Sequence, residues 1–144
     1  MTYASSPPTA RNTRLEWFSE IWSRLESAPK RPRDAWRTPV LATVNDQGSP
    51  SARAVVLRAA SRDERCLEIH SDLTAEKINH IQVGSQISFC FWCPKRRVQV
   101  RLNGQARIAN AQDAGIAWRK LSAHDQQIYA CIPTPGTTIE EPTG

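Results

Sequence analysis

At 144 residues with 40% apolar and 23% charged side chains, the chain has the size of one domain able to bury a core of its own. No stretch of 18 apolar residues occurs, so no membrane-spanning helix is expected, and four cysteines (66, 90, 93 and 131) are too few and too scattered for a secreted disulfide framework. The net charge of +5 invites a phosphate-bearing partner, either nucleic acid or a phosphorylated small molecule, although the same charge also serves solubility.

Residues 1–12 are polar and proline-bearing and are expected to form a flexible tail; with no apolar signal core there, the expected location is cytoplasmic. One domain is expected over 13–132. In 13–28, Leu15, Phe18, Trp22 and Leu25 share one helical stripe, with Trp17 and Ile21 beside it, and the prolines at 29 and 32 end that helix. Strands follow at 38–45 and 51–59, joined by the turn DQGSP, and a third at 65–71. A short helix comes next, with Thr74 as its cap, Ala75, Ile78 and Ile81 on its buried face, His80 on its exposed side and Gly84 at its end. QISFCFWC (86–93) reads as an apolar strand in the core, and 97–109 as a long alternating one. Helical patterns at 111–122 and 124–132 precede an irregular tail, 133–144. This order predicts a mainly β protein with flanking helices, a small antiparallel barrel with the helices outside.

Within the second strand, RAVVLR (53–58) places an arginine at each end of an apolar run. On an unbroken strand Arg53 and Arg58 start from opposite faces, about 17 Å apart at roughly 3.3 Å per residue. One compact anion would not reach both, whereas an elongated anionic ligand, or one shared by two protomers, would.

CFWC (90–93) is a Cys-x-x-Cys pair, a pattern used by redox dithiols and by half a zinc site. Lying inside a strand-like run, it is expected to be structural, and no metal site is predicted. The three histidines have no carboxylate or nucleophile at a telling spacing, so hydrolytic chemistry has no support. HSDLTAEK (70–77) brings a serine hydroxyl, a turn and a helix start carrying Lys77 in its first turn. A lysine is mildly unfavourable at that end of a helix, and an anion bound there would offset it.

RAVVLR, HSDLTAEK and RRVQVRLNG, in this order and spacing, resemble the FMN-binding split-barrel family of the pyridoxamine 5′-phosphate oxidases. The resemblance covers about residues 35–110, with a weaker echo in LSAHDQQIYACIPTPG. It implies an antiparallel split barrel that binds FMN between the protomers of a homodimer. By that resemblance, Arg53, Val55, Val56, Leu57 and Arg58 form the strand that cradles FMN, with Arg53 at the phosphate. His70 and Ser71 match the next contacting pair, Lys77 the phosphate lysine, and Gln99 the glutamine that bonds the flavin from a facing strand. The activity implied is oxidation of a small, possibly phosphorylated substrate by hydride transfer to FMN, with no catalytic side chain assigned. Glu76 stands where the family often carries arginine, and Arg58 where it often carries lysine. The family also continues into a C-terminal Trp and Arg segment beyond the point where this sequence stops at Gly144. Two other readings follow from the residues: an FMN-binding protein without turnover, and, less favoured, a basic β-barrel using Phe91, Trp92 and the KRR turn on nucleic acid.

Overall fold

The computed structural model describes residues 13–84 and 86–129. The tails expected at 1–12 and 133–144 lie outside them. The first helix, α1 (Arg14–Ser27), starts from a capping box: the Thr13 hydroxyl accepts from the Glu16 amide, and the Glu16 carboxylate accepts from the Thr13 amide. Its inward stripe is narrower than the sequence pattern predicts. Trp22 and Leu25 are buried, whereas Leu15 is 79% exposed and Phe18 is exposed as well. Two 3-10 turns, Ala28–Lys30 and Ala35–Arg37, then carry the chain across the core, and the second inserts Trp36.

Six strands follow: β1 (Val40–Val44), β2 (Pro50–Ala54), β3 (Leu57–Ser61), β4 (Cys66–Ile69), β5 (Gln86–Cys93) and β6 (Val98–Gln105). Between β4 and β5 lies α2 (Glu76–Val83), and α3 (Ala111–Arg119) and α4 (Ala123–Ile128) close the described chain. All pairing is antiparallel. One sheet has the order β2-β1-β5-β6, and β3 with β4 forms a second, two-stranded sheet. The strand expected at 51–59 is therefore two strands. The chain leaves the first sheet after Ala54 and enters the second at Leu57, with Val55 and Val56 as the crossing. An apolar run with no glycine or proline gave no sign of that break. The β1–β2 turn keeps a simpler logic: Asn45 Oδ1 accepts from the Gln47 and Ser49 amides, and Gly48 takes φ +80°, which favours glycine.

Register sorts the four-stranded sheet into two faces. Leu41, Thr43, Arg53, Phe89, Phe91, Cys93 and Val100 point inward, where Trp22, Leu25, Ala28, Trp36 and Leu57 meet the apolar members of the set to form the core. Phe91 lies at the centre of this core, 5.5 Å from the Trp36 ring and 5.8 Å from Phe89. The other face carries Val40, Ala42, Val44, Ala52, Ala54, Ser88, Cys90, Trp92, Gln99, Arg101 and Asn103. Trp92, expected in the core, stands on this outer face and is 49% exposed. Among the described residues, no helix is long and apolar enough to cross a membrane.

Candidate anion and flavin site

Arg53 projects from β2 onto the inner face, beyond the apolar core. Its Nη1 donates to Thr43 Oγ1 at 2.7 Å and to the Leu41 carbonyl at 3.4 Å, and its Nη2 donates to Ser51 Oγ at 2.7 Å. All three acceptors are neutral. Burial pulls its pKa down, and the nearby Glu76 carboxylate only partly offsets this. Lys77 in the first turn of α2 is also pushed down, first by burial and then by the Arg53 charge, with Asp72 opposing. Two half-buried cations thus lie within each other's field, and the groups bonded to Arg53 bring no negative charge. A phosphate dianion fits that donor set: it would neutralise both groups and accept from each.

The loop leading into α2 is held by its own bonds. Asp72 Oδ1 accepts from the Thr74 amide at 2.7 Å and from the Thr74 hydroxyl at 2.6 Å, which keeps the Asp72 carboxyl below its usual range. Thr74 is therefore not the helix cap. Ala75 holds that position and offers no side-chain bond. Ser71 Oγ donates to the Asp72 carbonyl at 3.0 Å, and His70 Nε2 lies 2.8 Å from Glu68 Oε1. His70 and Ser71 thus lead directly into the loop that presents Lys77.

Arg58 is placed differently. It sits at an irregularity in the β3–β4 register, between the pairs Leu57–Ile69 and Ala59–Glu68, and a bulge re-aims a side chain. Both Nη atoms donate to Asp125 Oδ1 on α4, at 3.3 and 3.2 Å. The Ser122 hydroxyl, together with Arg58 and Arg37, holds the Asp125 carboxyl below its usual range. The crossing at Val55 and Val56 and this bulge replace the simple two-face alternation expected of RAVVLR. Of its two arginines, Arg58 bonds a carboxylate, whereas Arg53 bonds only neutral acceptors and has Glu76 no nearer than its wider field.

Val55 donates its amide to the Pro39 carbonyl at 3.0 Å; Val55 and Leu57 are buried and Val56 is half-buried. Gln99 lies on the outer face of β6 opposite Trp92, so within one chain it is on the other side of the sheet from Arg53. Cys90 and Cys93 point to opposite faces of β5 and do not converge.

Three residues around Arg53 were missed as site components. Ser51 and Thr43 are the inward polar members of a cross-strand pair, a signal that strand alternation carries in principle. His80, expected on the exposed side of α2, is 6% exposed, and its Nδ1 lies 2.9 Å from Thr43 Oγ1. The short helix buries Ala75 and Ile78, the predicted face, and His80 as well, which reaches Thr43 on β1.

The family described as pyridoxamine 5′-phosphate oxidase, FMN-binding domain, matches residues 15–110. The chain belongs to this family. FMN is the family's cofactor. A pyridoxine/pyridoxamine 5′-phosphate oxidase 2 of Arabidopsis thaliana is 30% identical over 105 residues, covering 67% of this chain and 52% of the relative. A pyridoxine/pyridoxamine 5′-phosphate oxidase of Leptospira biflexa is 30% identical over 123 residues, covering 85% and 53%. The chain spans about half the length of the curated relatives it matches. Among solved structures, a pyridoxamine 5′-phosphate oxidase-related, FMN-binding protein of Nostoc punctiforme superposes with a TM-score of 0.66 at 26% identity, covering 85% of this chain and 67% of that one. The two antiparallel sheets with flanking helices are thus the split-barrel fold of this family.

Proposed function

We propose that this chain is the FMN-binding part of a flavin-dependent oxidoreductase, with the flavin phosphate held between Arg53 and Lys77. The observation that carries this reading is the bonding of half-buried Arg53 to neutral acceptors only, with half-buried Lys77 in the first turn of α2 within its field. Ser71 and His70 border the same loop, and the backbone at Val55, Val56 and Leu57 offers an edge where the chain changes sheets. Arg58, tied to Asp125, flanks that edge. Bound FMN supplies a hydride acceptor, while the protein binds, orients and shields.

Gln99 faces away from Arg53 within one chain, so its assigned contact calls for a second copy. We propose a homodimer in which the outer sheet face, with Val40, Val44 and Trp92 exposed, meets its twofold mate. The names of the relatives make pyridoxine and pyridoxamine 5′-phosphate the first substrates to try.

The test is the visible spectrum of purified protein after incubation with FMN and removal of the excess. Wild type is expected to retain the flavin band, and Arg53→Ala and Lys77→Ala to bind about 10- to 100-fold more weakly, the loss of one charge-assisted hydrogen bond to an anion. A wild-type protein that stays colourless would sink the proposal. With flavin retained, bleaching of the band by a phosphorylated B6 substrate without oxygen tests turnover, and a band that never bleaches with either substrate counts against oxidase activity on them.

A further inference from the structure

Arg53 is not held by its immediate bonds alone. Its guanidinium can only donate, so Thr43 Oγ1 is the acceptor in their 2.7 Å bond. The single hydroxyl proton of Thr43 is then free to go to His80 Nδ1, 2.9 Å away. In the tautomer whose Nδ1 accepts that proton, the imidazole hydrogen is on Nε2 and faces Glu76 Oε1 at 3.4 Å, one helical turn back. A directed chain therefore runs from β2 through β1 into α2: Arg53, Thr43, His80, Glu76. The interior of this chain is dry, since Thr43 is 1% exposed and His80 6%.

The chain joins two elements that have reason to separate. Arg53 on β2 and Lys77 on α2 repel one another. The Thr43–His80 bond fastens α2 to β1 between them, and a buried polar pair is costly to leave half-made. The same chain also engages Glu76, whose carboxylate is turned toward His80 and so is anchored on the helix side.

We propose that His80, through Thr43, is a positioning residue that sets the spacing and orientation of Arg53 and Lys77 for the phosphate of the flavin. This rests on the phosphate reading given above and deepens it. His80 touches no ligand. It acts by fixing one cation and the helix that bears the other.

The experiment compares the dissociation constants of FMN and riboflavin, which lacks the phosphate, by quenching of flavin fluorescence in the full chain. The variants are His80→Leu, Thr43→Val and His80→Asn, each checked by its melting curve. Wild type is expected to prefer FMN. His80→Leu and Thr43→Val are expected to lose about tenfold of that preference, with riboflavin affinity little changed, as one lost orienting hydrogen bond implies. His80→Asn, whose Oδ1 can accept from Thr43, is expected to restore most of it. If FMN and riboflavin weaken equally in both variants, or neither weakens, His80 has only a packing role and the proposal is wrong. A wild type that binds both flavins equally would instead overturn the phosphate site itself, and the positioning role with it. Because Thr43 also bonds Arg53 directly, His80→Phe, which keeps a planar ring but cannot bond Thr43, decides the matter should His80→Leu fail to fold.

Discussion

Arg53 and Arg58 share a short segment and one chemistry, yet their surroundings separate them. Arg58 meets a carboxylate and is neutralised; Arg53 meets two hydroxyls and a carbonyl and keeps its charge for something else. A residue's type told which groups could bind an anion, but only its bonded neighbours tell which one is still able to. Apolar residues obey a simpler rule, in which enclosure sets the cost of removal. Phe91 is fully enclosed against Trp36 and Phe89, so Phe91→Ala is expected to destabilise by about 3–5 kcal/mol through lost contact and a cavity. Urea unfolding checks this, with a lowered midpoint and an unchanged slope; a loss below about 1 kcal/mol would mean that the core collapses around the gap.

Among the elements, α4 is a short helix tied to β3 by an ion pair. Ser122 caps it and bonds Asp125, which in turn receives Arg58. The Asp125 carboxyl titrates lower in the folded chain than in the unfolded one, where an aspartate titrates near 3.9. Its contribution is therefore fully present above that unfolded value and is lost as pH falls through the folded value. Asp125→Asn is expected to lower the melting temperature at neutral pH and to flatten its decline on the acid side. Melting curves collected across that range check it, and parallel curves for both proteins would refute the link. The same scale shows what a sequence can tell. The hairpin announced by DQGSP, a first helix marked by its apolar stripe and an alternating final strand were legible because their signals are local. The crossing at Val55, the bulge at Arg58 and the burial of His80 were not, since each depends on which element lies across from it. For the proposed site, residue types singled out Arg53, Arg58 and Lys77 as cations and the family resemblance put Arg53 and Lys77 at the phosphate, while Thr43 and Ser51 stayed hidden as ordinary strand hydroxyls.

For the molecule as a whole, the four-stranded sheet has one filled face and one bare face. Val40 and Val44 on β1 and Trp92 on β5 stand exposed there, beside Gln99 on β6. If two copies meet on this face, a charge at its apolar centre should separate them. Trp92→Glu is expected to sediment as a monomer and to lose bound flavin together with its partner. A variant that remains dimeric and yellow would place the interface elsewhere.

The join between β1 and β5 has a consequence for the order in which the chain folds. β1 with β2, and β5 with β6, are neighbours along the chain and can zip up locally, but the pairing of Val40 with Cys90 must wait for everything between them to be gathered in. Helix α2 lies within that intervening segment, and its His80 reaches Thr43 on the strand at the join. The surroundings of Arg53 are thus expected to form late, as the two hairpins close on each other, and a low φ value for Thr43→Val would check this. A flavin caught there would act as a latch, slowing the opening of the finished protein more than it hastens its formation.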